Sequence, residues 1–191
     1  MKRKLFFLTL ALVLCFSLTA VNAASISLTP VSLPANPGDS VSFDLFLDFL
    51  DDGLVGAGVD VTFSPDTDLT FTSWTWNSTF LASSDPLFTG EPSLTGPGLI
   101  TGLSFGAFPT ILDGETATAG TFLFEVAAGA TPGSTITLSL LEGFNAIDTV
   151  SGIAPDLIGA NINVNAVPIP GAILLLGSGL IGLVGLRKKV S

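Results

Sequence analysis

The sequence predicts an all-β sandwich carried between two hydrophobic terminal segments. Three observations support that expectation. Through residues 24–165 apolar side chains recur with a period of two, the spacing of a strand with one buried face rather than the 3.6 of a helix. Clusters of Asn, Asp, Pro and Gly punctuate these runs, and such residues set turns. No stretch of the region carries an amphipathic helical pattern, so strands have no competitor there. Its length is that of one domain.

At the front, Met1-Lys2-Arg3-Lys4 is a basic segment and Leu5 to Ala20 an apolar one. Val21-Asn22-Ala23 offers small residues at the two positions that a signal peptidase reads. Residues 1–23 are therefore expected to be a signal peptide cleaved after Ala23. Cys15, the only cysteine, lies inside the apolar run and leaves with it. Leu14 before it is not the small residue that a lipoprotein cysteine follows. The exported domain then has no disulfide, and a chain of this size can bury a core without one.

The strands follow in order. Val41, Phe43, Leu45, Leu47 and Phe49 share one face, opposed by Ser42, Asp44 and Asp48. Val55, Ala57, Val59, Val61 and Phe63 alternate with Gly56, Gly58, Asp60 and Thr62. Leu69 and Phe71 begin another strand, but Trp74 and Trp76 fall in the opposite phase, which predicts a bulge near Ser73. Leu99 to Phe105 is a further strand. Phe122, Phe124 and Val126 share a face, as do Ile136, Leu138 and Leu140. The last strand sets Ile158, Ala160, Ile162 and Val164 against Asn161, Asn163 and Asn165. Turns separate them at Asn36-Pro37-Gly38-Asp39, Ser64-Pro65-Asp66, Asp113-Gly114 and Thr131-Pro132-Gly133. Short strands at this spacing argue a sandwich.

Four of these segments resemble the cohesin-like family. Pro37-Gly38-Asp39-Ser40-Val41 opens the first long strand as Pro-Gly-Asp does there. The run from Gly56 to Asp66 is similar to the family's strand that leads into a Pro-containing turn. Asp113-Gly114 through Val126 resembles its penultimate strand pair, and Ala130 to Ile136 its Pro-Gly-Ser/Thr turn. The resemblance implies a jelly-roll sandwich of about nine strands. It also implies a binding role, since cohesins bind dockerin modules and related sandwiches bind carbohydrate.

At the far end, every residue from Ile169 to Leu186 is apolar, Gly, Pro or Ser, and Arg187-Lys188-Lys189 follows. At about 1.5 Å per residue the run spans a hydrocarbon core of about 30 Å. Pro170 fits a first helical turn. The basic residues hold their end in the cytoplasm. Val167-Pro168-Ile169-Pro170 before the helix completes a tripartite ending that resembles the PEP-CTERM sorting signal in its Val-Pro-Xaa-Pro variant. The family's name motif has Glu between the prolines, where this chain has Ile169. The resemblance implies processing by an exosortase-type membrane enzyme that cuts near the motif. The expected organisation is thus a signal peptide (1–23), an ectodomain (24–165) and a sorting signal (166–191) with a transmembrane helix at 169–186 and a basic tail at 187–189.

Composition narrows the chemistry. All six Lys and Arg lie at the two termini, and all sixteen Asp and Glu lie between Asp39 and Asp156. Without the terminal cations the net charge passes from −10 to −16. Such an ectodomain repels nucleic acid and anionic lipid and has no cation to clamp phosphate. The chain lacks His and Tyr, and the ectodomain also lacks Cys, Lys and Arg. Catalytic triads, thiolate nucleophiles and Schiff bases are excluded. A carboxylate pair of the glycosidase type is the one enzymatic arrangement left, and a non-enzymatic role is expected. No cofactor is expected. Calcium is the candidate ion, at Asp48, Asp51 and Asp52 before Gly53 or at Asp66 and Asp68, although Asp and Gly are also ordinary turn residues. Trp74 and Trp76, with Phe71 and Phe80, are either core or a candidate sugar-stacking surface. Asn77-Ser78-Thr79 has the form of a glycosylation acceptor.

The reading is an exported Gram-negative surface protein. Its precursor is a single-pass inner-membrane protein with a cytoplasmic C-terminus, and its mature form lies at the cell surface or in the extracellular matrix. The ectodomain binds polysaccharide in a biofilm matrix, serves that matrix structurally, or binds a surface protein in the manner of a dockerin-type module. In spheroplasts, external protease should digest residues 24–165 and spare an epitope placed after Lys189. Protection of the ectodomain would refute this topology.

Overall fold

A computed structural model of the chain describes residues 24–107 and 110–166. Ala23, Val167-Pro168-Ile169-Pro170, the expected helix at 169–186 and the tail Arg187-Lys188-Lys189 lie outside the described residues. Among the described residues no helix is long and apolar enough to cross a membrane.

Among the described residues thirteen strands form two facing sheets. In chain order the first five are β1 (Ser25–Thr29), β2 (Ser32–Ala35), β3 (Ser40–Asp48), β4 (Gly53–Ser64) and β5 (Leu69–Trp76). A one-turn helix, α1 (Ser78–Ser83), precedes β6 (Ser93–Gly96), β7 (Leu99–Gly106) and β8 (Leu112–Asp113). Then come β9 (Thr116–Val126), β10 (Thr135–Glu142), β11 (Asp148–Thr149), β12 (Asp156–Ile158) and β13 (Ala160–Val164). The first sheet has the order β12-β1-β3-β9-β5. The second runs β2-β13-β10-β4-β7-β6, with β8 and β11 also paired to β4.

The strand number departs from the expected nine for a definite reason. The first and last strands are each broken and change sheets. β1 lies in the first sheet and β2 in the second, on either side of Pro30-Val31. β12 and β13 divide in the same way at Gly159. Counting each broken strand once, and setting aside the two-residue β8 and β11, leaves nine. The broken strands run parallel to each other, β1 beside β12 and β2 beside β13, and so close one side of the sandwich. The single face expected for Ile158, Ala160, Ile162 and Val164 is corrected here. The last three are buried, while Ile158 is 44% exposed on the other sheet. Gly159 sits against the Leu138 carbonyl, where a Cβ has no room.

The core follows the alternation. Val41, Phe43, Leu45 and Leu47 of β3 pack inward with Phe122, Phe124 and Val126 of β9. They meet Val59, Val61 and Phe63 of β4 and Ile136 and Leu138 of β10 from the other sheet. Phe124 makes edge contacts with Phe43 at 6.3 Å, Phe63 at 5.9 Å and Phe71 at 5.8 Å, a favoured aromatic geometry. The bulge expected in β5 is present, as a register shift between Phe71 and Ser73. It keeps Leu69 and Phe71 before it and Trp74 and Trp76 after it against the same core. The expected turns form too. Asp39 N–H donates to the Asn36 carbonyl at 3.0 Å and Ser134 N–H to the Thr131 carbonyl at 3.1 Å. Gly38 (φ 90°) and Gly133 (φ 84°) adopt the left-handed region that the turns require. The helix α1 is an addition, since one turn is too short to show a period. The Asn77 carboxamide caps it by accepting from the N–H groups of Thr79 and Phe80.

Among the described residues every core side chain lies between Ile26 and Val164, so this domain should fold without the terminal segments. Replacing Phe124 with Ala should cost that domain about 3–5 kcal/mol. It should lower the urea midpoint with little change in slope. A loss below about 1 kcal/mol would contradict the central place given to that ring.

Candidate functional site

The outer face of the second sheet holds a trough whose floor is bare backbone. On β4 the side chains of Ala57 and Val59 enter the core, which turns Gly56 and Gly58 outward. Gly106 of β7 pairs with Gly56. With no side chain at either position the two strands pack closely, Gly106 buried and Gly56 half-buried. A Cβ on Gly106 would come within 2.9 Å of the Val55 carbonyl and 3.1 Å of the Gly56 Cα. Glycine is required here for close approach, not for an unusual φ.

Two crossing segments wall the trough. On one side Gly143 N–H donates to the Gly58 carbonyl at 2.9 Å, and residues 143–148 pass over β4. A Cβ on Gly58 would meet the Asn145 backbone oxygen at 2.6 Å. On the other side Gly90 and Ser104 exchange backbone hydrogen bonds of 2.8 and 3.2 Å, and Asp85 N–H donates to the Gly106 carbonyl at 2.7 Å. Between these walls lies a cavity of about 240 Å³ lined by Val55, Phe88, Ser104, Asn145, Ala146 and Asp148, among others. In its lining Phe88 is 53% exposed, and the chain neighbours Leu87, before Phe88, and Phe144, before Asn145, are exposed at 89% and fully. Asp148 supplies the acidic group in the lining. Such a concavity suits an inserted apolar side chain.

Trp74 and Trp76 are partly buried and packed on the core. Trp74 lies over Phe122 with ring centroids 4.5 Å apart and meets Trp76 edge-on at 5.2 Å. Gly120 of β9 makes room for the Trp74 ring, which a Cβ there would meet at 2.5 Å. Trp76 Nε1 donates to Glu91 Oε1 at 2.6 Å, and its ring meets Phe105 edge-on. Trp76 thus braces the segment that forms one trough wall, a role that nothing in the linear pattern signalled.

The acidic candidates are engaged in turns. Asp48 Oδ1 accepts from Leu50 N–H at 3.3 Å. Asp68 is buried; its Oδ1 accepts from the Thr67 hydroxyl at 3.1 Å and its Oδ2 from Thr131 N–H at 3.4 Å. Asp66 stands beside Gly98, and Asp51 is exposed. Asp52 bolts the β3–β4 turn to the segment after β11, accepting from the Ser151 hydroxyl at 2.5 Å, Ser151 N–H at 3.1 Å and Gly53 N–H at 2.7 Å. Partial burial works to raise the Asp52 carboxyl, but these hydrogen bonds outweigh it and hold the group below the usual carboxylate range. Among the described residues no three acidic side chains gather as a metal site would need.

Comparison with known proteins finds no matching family profile and no matching curated sequence. Solved structures do match in fold. The sixth cohesin of scaffoldin B from Acetivibrio cellulolyticus, solved with a Cel5 dockerin, has a TM-score of 0.59 at 17% identity. The match covers 75% of this chain and 100% of that one. The cohesin CaCohA2 from Clostridium acetobutylicum gives 0.53 at 16% identity, covering 76% and 94%. A type III cohesin module from the cell-surface anchoring scaffoldin ScaE of Ruminococcus flavefaciens gives 0.53 at 16%, covering 75% and 88%. The expected cohesin-like sandwich is therefore the fold of this domain.

The Asp52 bolt has a defined pH dependence. Its folded pKa lies below the ordinary 3.8. The stability it adds is therefore present above that value and is lost as pH falls through the folded one. Asp52→Asn should lower stability at pH 7 by about 0.5–1 kcal/mol, a small figure because the site is open to solvent. The gap between variant and parent should narrow as the pH is taken from 7 to well below 3.8. An equal gap at both pH values in urea titrations would remove the carboxylate from this role.

Proposed function

We propose that the chain is an exported, envelope-anchored binding module that seats a protein partner on the glycine-floored trough. The trough is the observation that carries the reading. It offers a cavity beside the exposed Phe88, and large apolar groups left in water mark a docking surface. The fold neighbours support it in kind, since one was solved with its dockerin and another belongs to a cell-surface anchoring scaffoldin. The absence of Lys and Arg between residues 24 and 166 favours a partner carrying cations around its apolar anchor.

The terminal segments supply the address. Signal peptidase removes residues 1–23 after Ala23, and Arg187-Lys188-Lys189 stop transfer at the cytoplasmic side. An exosortase-type enzyme then acts near Val167-Pro168-Ile169-Pro170. The sandwich geometry agrees with anchorage at that end. β13 finishes at Val164 beside Ala35, whereas the trough lies toward the opposite end, where β4 begins at Gly53. A partner is thereby held away from the membrane.

The test is affinity for secreted proteins of the host and for dockerin modules, measured by calorimetry on residues 24–166. Phe88→Asp and Phe144→Asp, both at exposed positions, should weaken binding at least about tenfold, or about 1.4 kcal/mol, without lowering the melting temperature. A partner that binds both variants as tightly as the parent would displace the site from the trough.

A further inference from the structure

We propose that the cavity in the trough takes a basic side chain, lysine or arginine, as the partner's anchor, its aliphatic stem being the apolar part. This rests on the trough as the partner's seat and names the group that enters it.

Strand pairing sets the polarity of the cavity. Asp148 of β11 pairs with Gly56 of β4, and Gly56 pairs with Gly106 of β7. Thr149 beside Asp148 is buried while Asp148 is exposed, so the alternation of the strand turns the carboxylate to the outer face. Phe88 stands at the other end of the row, with its Cβ 3.5 Å from where a Cβ on Gly106 would lie. At about 4.8 Å per strand, Asp148 and Gly106 are about 10 Å apart. The cavity of about 240 Å³ is thus a slot with a carboxylate at one end and an exposed ring at the other. Between them Val55, Ala107 and Ala146 add apolar lining, which suits a run of methylenes.

Charge selects the tip. Two other acids lie on the segments that wall the trough or adjoin them, and each is engaged by a backbone amide. Asp85 Oδ1 accepts from Leu87 N–H at 2.9 Å, and Glu142 Oε1 from Ile147 N–H at 3.2 Å. Asp148 can meet no Lys or Arg from its own domain, since residues 24–166 contain neither. A neutral apolar anchor would strip water from that carboxylate and return no hydrogen bond. An ammonium or guanidinium on a flexible stem pairs with it while the stem covers the apolar lining. A metal ion is matched less well, because among the described residues no three acidic side chains gather to hold one.

The test is an NMR titration of ¹⁵N-labelled residues 24–166, the segment that holds the core. The probes are N-acetyl-lysine amide, N-acetyl-arginine amide and the neutral N-acetyl-norleucine amide. At least one basic amide should shift the Gly56, Gly106, Ala146 and Asp148 signals with a Kd of about 1–10 mM, the scale for a ligand of this size. Norleucine amide should bind about tenfold more weakly, and Asp148→Asn should bring the basic amides down to its level. Asp44→Asn removes one charge from the exposed face of the other sheet, and it should leave the affinity unchanged. Absence of these shifts in the parent overturns the proposal. So does parental affinity in Asp148→Asn, or an equal loss in Asp44→Asn, which would assign the attraction to the domain's overall charge. Norleucine amide binding as tightly as the basic amides also overturns the basic tip, while leaving the trough as the seat of an apolar anchor.

Discussion

The contact between Phe63 of β4 and Phe124 of β9 joins the two sheets at their centre, with Phe43 and Phe71 completing the aromatic group. Everything outside depends on that interior. With no disulfide and no ion pair available between residues 24 and 166, hydrophobic burial must hold the sandwich against the mutual repulsion of its sixteen acids. Inward placement of most Val, Leu, Ile and Phe on both sheets is what leaves the outer faces free to carry glycine in one region and small polar side chains in another.

β4 is the strand on which those regions divide. Its inward positions from Ala57 to Phe63 are uniformly buried, and its outward positions change character along its length. Near Gly53 they are glycines crossed by two loops, and near Ser64 they are hydroxyls continuous with β10. Asp60 stands between, bonded to the Gly102 amide. One strand thus presents two chemically distinct surfaces on the same side of the molecule without any change in its inward pattern.

Much of this was legible in the sequence. Alternation placed the inward faces of β3, β9 and β10 and of β4 from Ala57 onward, and the phase error between Phe71 and Trp74 located the bulge in β5. Val55, expected on the same face, lines the trough while Leu54 is buried, because the register of β4 against β11 shifts there. These signals are local, since period and turn chemistry act over a few residues. The breaks at Pro30-Val31 and Gly159 were not legible as sheet changes, because a strand that continues and a strand that crosses over differ only in which neighbour it meets. The trough was hidden for the same reason. Gly56 and Gly58 were visible as the non-core face of a strand, but the walls come from residues 85–90 and 143–148, far away in the chain. Trp76 drew attention as a ligand surface; its tie to Glu91 across fifteen residues could be found only in three dimensions.

The parallel pairing of β2 with β13 bears on how the domain carries load. Tension applied through the chain after Val164 enters along β13, which is hydrogen-bonded to β2 on one side and β10 on the other. If the opposing pull is applied at the trough, near the far end of the sheet, the force runs along the strand axis. The ladder bonds flanking β13 are then strained together in shear, not opened singly from one end. Rupture would require many of them to fail at once, so a pull along this axis meets far more resistance than one that peels the strand from its end.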